Sequence, residues 1–578
     1  MEPTTQLIIY WALTSVAFIG VIICIVPQAL AAVRGTGLNE LDRETPRKSS
    51  GLSRWIFLLV VAAFLTISVW PAIQYPERIN PDEELVLAQA QKALIDPLPW
   101  RSFDPTTAGP LNTYVMSVAN LFGIPLSFGL ARIVSLVLHI GLIAFTYGTA
   151  RTLYSELTAR LAVLPMVLIF GFGSFEIFDY YHSEALSCFL VALGTFLLVR
   201  YLHRAKAASG TRRGIGLVTL YLTGLVLGAM PYAKLQSAPI GIAVAALAFF
   251  ALLRQRKELG NAPIITFVLG GITVAILISV PVLLKGYWPE FVAAYLSQTS
   301  FYSELTVAQK VIDLAEANPY KWSYVGVCVL LGSALCSRKL FPARQWGRLT
   351  LIVGYLLVCI FVIYLPGTGY DHYYSFLFHP TALLLAELVG RSQLAVRGTT
   401  RWSNHQLARI ALLGVIFALI CAPILLHCRG HIKHPHILQN SSESETFLAE
   451  KEAVVYLREQ AAPGDQSSVW GWNSMIYVDS GLPMATRDSS THYASPNGHL
   501  DPERKSLARF QERYLTDFKE SKPRFFVDAA WPGSFSLIDR DLHGHEVFDE
   551  LRDLIRAEYT LSREFGKQPD SLRVYIRK

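Results

Sequence analysis

The chain has 578 residues, 52% hydrophobic and 16% charged, where a soluble domain carries about a quarter charged residues, so an ordinary soluble enzyme is excluded. Its 31 Phe, 26 Tyr and 11 Trp exclude a disordered chain. The formal charge of +7 is uneven: residues 1–428 hold 31 Lys+Arg against 21 Asp+Glu, and residues 429–578 hold 20 against 23. The basic excess belongs to the apolar part, which asks for a topological explanation and argues against nucleic acid as a partner.

Apolar runs fall near 7–33, 55–74, 127–150, 161–178, 185–202, 214–233, 235–253, 259–284, 322–337, 349–366, 372–390 and 410–428. Most approach the ~20 residues that cross a bilayer, so the pattern predicts an α-helical polytopic membrane protein of about 12 spans. The segments 34–54, 151–160, 200–213, 254–260, 338–348 and 391–409 carry 23 Lys+Arg, while the opposite set before residue 429 carries seven. The positive-inside rule then puts the basic set in the cytosol and both termini outside. A cleavage site at Ala29-Leu30-Ala31 would leave the basic segment 34–54 outside, so the first helix is expected to be retained. The expected organisation is an extra N-terminal helix and cytosolic loop (1–54), a membrane bundle with external loops (55–428), and an external domain (429–578).

The tail differs in kind. Helix-period stretches near 446–460, 504–520 and 546–558 alternate with the short apolar runs 468–470, 525–527 and 572–576, which predicts a small α/β domain. Asn440-Ser441-Ser442 would be a glycosylation sequon on a eukaryotic lumenal side. All seven cysteines precede residue 429 and show no CxxC or Cys/His spacing. They read as small core residues, and a tail without cysteine favours a bacterial envelope over a disulfide-rich lumen.

The loop after the second span reads Tyr75-Pro-Glu-Arg-Ile-Asn-Pro-Asp-Glu-Glu-Leu-Val-Leu-Ala-Gln-Ala-Gln-Lys-Ala-Leu-Ile95. Its apolar second half suits a helix in the membrane interface packed on the bundle. Asn80, Pro81 and Glu83 make an N-cap, a first-turn proline and a capping-box glutamate. Capping accounts for the acidic cluster in large part. Asp82 is less needed for it and is the better candidate for a general base. A second acidic patch, Glu176 to Glu184, opens the fifth span, and dipole complementation is again the plain alternative. There Asp179, His182 and Glu184, with Asp82, offer oxygen and imidazole ligands for a divalent cation, although their spacing does not demand one. Lys234 sits in an external turn, where it would bind a phosphate or snorkel to headgroups. His372 and Tyr373 lie in Gly369-Tyr-Asp-His-Tyr-Tyr-Ser-Phe-Leu-Phe-His-Pro380, which also fits an interfacial aromatic belt. The loop from 287 to 321 is rich in aromatic residues, as interfacial segments are.

The pair Asp82-Glu83 outside a span, then Gly109-Pro110-Leu111, Phe122-Gly123, Ala131-Arg132 and Ala150-Arg151, resembles the GT-C glycosyltransferases, specifically the protein O-mannosyltransferase and lipid A aminoarabinose transferase group. The resemblance covers about residues 55–390 and, more loosely, the tail, where Tyr477 to Arg487 resembles a stretch of bacterial members. It implies a polyprenyl-phosphate-linked sugar donor and a glycolipid, polysaccharide or protein acceptor, in a bacterial inner membrane with the tail extracytoplasmic. It implies Asp82 as the base that orients the acceptor hydroxyl for inverting attack, with Glu83 beside it and Glu184 as second carboxylate. Lys234, His372 and Tyr373 would serve the leaving phosphate. His372 stands where the family more often has arginine, and imidazole is only partly charged near neutral pH. No cofactor is required on this reading, and a divalent cation at Asp179 and His182 is an open option. A secondary transporter or lipid flippase is the rival reading, although the chain shows no repeated halves.

Overall fold

The computed structural model describes residues 3–33, 51–172, 178–205, 213–297, 346–366, 370–396, 444–495 and 507–578. In chain order the bundle comprises α1 (Pro3–Val33), α2 (Gly51–Gln74), α3 (Pro81–Ile95), α4 (Pro110–Leu121), α5 (Phe128–Leu153), α6 (Glu156–Phe172), α7 (Ser183–Ala205), α8 (Arg213–Ala233), α9 (Ala238–Arg254), α10 (Ala262–Leu284), α11 (Trp346–Tyr364) and α12 (Phe378–Val396). Among the described residues eight helices are long and apolar enough to cross a membrane: α1, α2, α5 and α7 to α11. Their outward faces carry large apolar side chains, for example Ile265, Leu269, Ile276 and Leu283 on α10, a surface that suits lipid and not water. The chain is an integral membrane protein.

The runs 322–337 and 410–428 lie outside the described residues, as do Glu176, Phe301, Tyr302, Trp322 and the Asn440 sequon. The run 161–178 is represented by α6, whose 17 residues reach about 25 Å. The run 372–390 divides into a 3-10 turn, Asp371–Leu377, and α12.

Two features of the bundle place the site. In α10 the buried positions Phe267, Gly270, Val274, Ile278 and Val282 recur every three or four residues and meet α8. There Gly224 and Gly228 of α8 oppose Gly270 and Gly271. A Cβ at Gly224 would strike the carbonyl of Phe267, one at Gly228 that of Gly271, and one at Gly270 that of Tyr221. This is close backbone approach through small residues, as membrane helices use where apolar burial gives no drive. The hydroxyl pairs Tyr221–Thr273 (3.0 Å) and Tyr232–Ser279 (2.8 Å) complete the contact. Gly228→Val is expected to force the two helices apart, seen as a lower melting temperature in detergent, whereas Gly347→Val, which meets open space, should melt as wild type.

The second feature is α3. Leu87 and Ala90 pack with Met116, Phe128, Ala131 and Tyr181 of the bundle, while Ala88 and Ala93 pack with Val469, Ile476 and Tyr477 of the tail. The helix therefore packs on the bundle, as its apolar second half predicts, and the tail covers its other side.

The tail holds α13 (Glu445–Gln460), β1 (Ser467–Trp470), α14 (Met475–Ser480), α15 (Leu507–Ser521), β2 (Phe525–Asp528), α16 (Asp549–Glu558), β3 (Tyr559–Phe565) and β4 (Leu572–Arg577). The sheet order is β1-β2-β4-β3. β1 and β2 run parallel with Val469 opposite Val527, and β4 is antiparallel to β2 with Val574 opposite Val527. Side chains alternate across the sheet: Phe525 and Val527 meet Ala449, Ala453 and Leu457 of α13 on one face. Phe526 meets Phe510, Tyr514, Leu551 and Ile555 on the other.

Candidate active site

The site begins at the first turn of α3. Asn80 caps the helix by accepting a hydrogen bond from the Asp82 N–H at 3.0 Å, and Pro81 occupies the first helical position, where no N–H is needed. The three carboxylates that follow have three different surroundings. Glu83 is fully buried and both its oxygens meet Arg132 of α5, at 2.8 and 3.1 Å. Glu84 is fully buried too and pairs with Arg78 at 3.0 Å, while accepting the Met475 N–H of the tail. Asp82 is half-buried, and among the described residues its carboxylate accepts no hydrogen bond and joins no ion pair. Its charge acts on His372 and Tyr180.

Opposite Asp82 the structure brings together Glu184, Lys234, His372 and Tyr373. Glu184 is fully buried at the start of α7. Lys234, in the turn between α8 and α9, reaches Glu184 Oε1 at 2.7 Å and donates to Ser183 Oγ at 2.7 Å. The same ammonium lies 5.6 Å from the centre of the Tyr373 ring, within cation–π range. His372 Nε2 is 3.9 Å from Glu184 Oε1, and His372 Nδ1 is 3.2 Å from the Tyr180 hydroxyl. Burial first, then the Asp82, Glu184 and Glu83 carboxylates, hold the Tyr180 hydroxyl well above its usual range, so Tyr180 keeps its proton.

The glycine of Gly109-Pro110-Leu111 has a structural cause. It caps α4 with φ +77°, and a Cβ there would strike the Tyr232 carbonyl and the Tyr295 hydroxyl. That close approach lets Asn112 donate to the carbonyl of Ala233, next to Lys234, and accept from the Tyr181 hydroxyl. The glycine thus braces the lysine turn against the loop that leads into Glu184.

Of the two residues proposed as metal ligands, His182 meets Glu184, and among the described residues neither joins a group of three ligand atoms. His182 Nδ1 faces Glu184 Oε2 at 3.3 Å, and its buried Nε2 has no hydrogen-bond partner among the described residues. Asp179 is buried with one carboxylate oxygen unpartnered among the described residues, and burial pushes its carboxyl well above the usual carboxylate range, against the pull of Arg132. Among the described residues, three potential ligand atoms within 4.8 Å of one another occur at Asp528, His545 and Glu546. Those are engaged otherwise: Asp528 takes His545 at 2.6 Å and Arg540 at 2.7 Å, and Glu546 takes Arg573 at 3.1 Å.

No family model matches the chain, and no curated protein sequence matches it. Among solved structures the chain is similar to ArnT, the lipid A aminoarabinose transferase of Cupriavidus metallidurans, in its complex with undecaprenyl phosphate. The TM-score is 0.50 at 12% identity, with 91% of this chain and 98% of that chain covered. The chain has the GT-C fold. The apo form of ArnT aligns with a TM-score of 0.46, 14% identity and coverage of 91% and 98%. An Archaeoglobus fulgidus oligosaccharyltransferase tethered with an acceptor peptide gives 0.43, 10% identity and coverage of 90% and 74%. At such identities the first likeness establishes the fold, and the activity has to be argued from the residues.

Three participants in the GT-C bundle escaped the sequence reading: Arg132 as partner of Glu83, Tyr180 beside His372, and Asn112 beneath the lysine turn. Arg132 had a signal, a lone charge in the apolar run 127–150, where intramembrane charges find partners. Tyr180 and Asn112 had none, because each acquires meaning through a residue more than 65 positions away.

The junction of the GT-C bundle with the tail is ionisable. Arg78 donates to Glu84 and, at 3.2 Å, to Asn473, whose amide donates to Glu450 at 2.5 Å. Burial pushes Glu450 up to about 7, with Arg78 opposing and Glu84 and Glu77 adding to the rise. A carboxyl raised in the folded state contributes stability that is present at low pH and lost as pH rises through about 7, an effect on the order of 3 kcal/mol. The melting temperature is therefore expected to fall between pH 5 and about 8, and Glu450→Gln should flatten that slope. An unchanged slope in the variant would assign the pH dependence elsewhere.

Proposed function

We propose that this protein is an integral membrane glycosyltransferase that moves a sugar from a polyprenyl monophosphate to an extracytoplasmic acceptor, with inversion. The observation that carries the reading is the pairing of Asp82, a carboxylate unengaged among the described residues, with the Lys234–Glu184–His372 group on the same end of a GT-C bundle. The acceptor hydroxyl oxygen attacks the anomeric carbon, its proton passes to Asp82, and the bond from that carbon to the phosphate oxygen breaks with both electrons going to the phosphate. Lys234, His372 and Tyr373 receive the developing charge, where preorganised donors act most strongly. Glu184 and Ser183 fix the direction of the ammonium. Glu83, with both oxygens on Arg132, holds the first turn of α3 in place and so acts as a positioning residue.

On this reading the chain has about twelve spans, lies in a bacterial inner membrane, and carries both termini and the tail outside, with the divisions at 54 and 428. The complex of ArnT with undecaprenyl phosphate supports a polyprenyl carrier as donor. The test is native mass spectrometry of the purified protein with added undecaprenyl phosphate. A monophosphate adduct is expected for wild type and should weaken about 10-fold or more in Lys234→Ala, as loss of a charged contact to phosphate does. A wild-type protein that takes up other lipids and no polyprenyl phosphate would overturn the donor assignment. Repeating turnover assays after EDTA treatment reads out any need for a divalent cation.

A further inference from the structure

At the far end of α3 from Asp82, a cavity of 580 Å³ opens between the helix end, the loop 95–102 and the tail. That volume is in the ~300–1,000 Å³ range of small-ligand sites. Its wall alternates cationic and anionic groups already paired with one another: Arg101 with Asp96 at 2.8 Å, Arg487 with Asp517 at 2.7 Å and Arg524 with Asp465 at 2.9 Å. Lys92 and Lys522 also line it, without an ion pair among the described residues. Tyr287 supplies a half-buried aromatic side.

The wall is built and not incidental. Trp100 is buried with φ +61°, the left-handed region that a bulky side chain rarely adopts. It is held there by Phe291 at 4.7 Å between ring centres and by Arg487, which donates to its carbonyl at 3.0 Å. This turn aims Arg101 into the cavity, and strain of this kind is typical of ligand-holding loops. Lys92 donates to the Met484 carbonyl at 2.6 Å, which leaves two of its three donors for an occupant.

We infer that this cavity binds hydroxyl-rich saccharide units of the acceptor, at a site distinct from the reacting hydroxyl. Each sugar hydroxyl both donates and accepts, so a wall of fixed donors beside fixed acceptors matches a polyol better than it matches an anion, which the carboxylates would repel. Ten residues of helix separate Asp82 from Lys92, about 15 Å at 1.5 Å per residue, so the site would engage a glycan of several units. The assignment of the saccharide as acceptor rests on the transferase reading; the binding itself does not.

The test uses the full-length protein in nanodiscs with maltotetraose and cellotetraose as neutral probes and a hyaluronate tetrasaccharide as an acidic one. Binding is followed by saturation-transfer NMR. The expected result is saturable binding of at least one neutral probe, weakened at least five-fold in Tyr287→Leu and in Lys522→Asn. Lys522 is exposed with φ +48°, a backbone conformation that asparagine accepts, so this variant keeps the fold. Asp82→Asn should bind as wild type. The inference is overturned if no neutral probe binds, if the acidic probe alone binds, or if both cavity variants bind unchanged. Saccharide binding without any donor turnover would leave the cavity standing and remove the transferase reading; turnover without saccharide binding would do the reverse.

Discussion

Asp82→Asn is expected to lower sugar transfer by about 10²- to 10⁴-fold, the usual contribution of a positioned general base, while undecaprenyl phosphate still binds. Asparagine keeps the size of the side chain and cannot take a proton. It also leaves the cap untouched, since Asn80 accepts from the backbone N–H of residue 82 and not from its side chain. No ion pair is broken, because among the described residues the Asp82 carboxylate has none. Folding and donor uptake are thus separated from the chemical step, and a fall in kcat with an unchanged phosphate adduct would isolate it. If Asp82→Asn turned over at the wild-type rate, the base would have to be sought elsewhere. Glu184 is the remaining carboxylate in the group, and it is already committed to Lys234 at 2.7 Å.

What the sequence revealed follows a physical division. Asp82, Glu184 and Lys234 stand out because charges beside apolar runs are few and each must be explained. The helices α1, α2, α5 and α7 to α10 stand out because twenty apolar residues have little other use than to cross a membrane. By contrast, β3 went unread: Tyr-Thr-Leu-Ser-Arg-Glu-Phe is an edge strand with four exposed residues in a row, so it shows no apolar alternation to detect. The burial of α3 was unreadable for another reason. Its second face is covered by residues about 390 positions later, and Lys92, Gln89 and Glu84 find their partners at Met484, Ser489 and Met475. Likewise the stretch ending at Arg487 shows no role in its own sequence, yet it helps fasten the tail to the bundle: Arg487 grips Asp517 and the Trp100 carbonyl, and nearby Arg513 joins Asp104 at 2.8 Å. Pairings of that sequence separation are set by the fold and leave no periodic trace.

Arg132→Met is expected to be the most damaging substitution in the bundle. The guanidinium is fully buried and satisfies five acceptors: Glu83 twice, and the carbonyls of Ala72, Tyr75 and Glu77, each at 2.6 Å. Methionine ends where the guanidinium begins: it removes the charge that balances Glu83 and takes the Arg132 donor from the Tyr75 and Glu77 carbonyls, while Ala72 keeps the Tyr75 N–H at 3.1 Å and Glu83 the Tyr181 N–H at 3.3 Å. Breaking a buried pair by removing one partner costs about 3–5 kcal/mol, and each orphaned carbonyl adds about 1–3 kcal/mol. The sum rivals the whole stability of a typical domain, about 5–15 kcal/mol, so the variant should fail to give a monodisperse species in detergent. Glu83→Gln removes one charge and keeps the carbonyl contacts, so it should fold with a lower melting temperature. The comparison of the two also decides what Glu83 does. As a positioning residue its substitution should lower kcat and stability together, and the transferred sugar should retain its inverted configuration. A Glu83→Gln protein that melts as wild type but is as inactive as Asp82→Asn would instead put Glu83 at the reacting atoms.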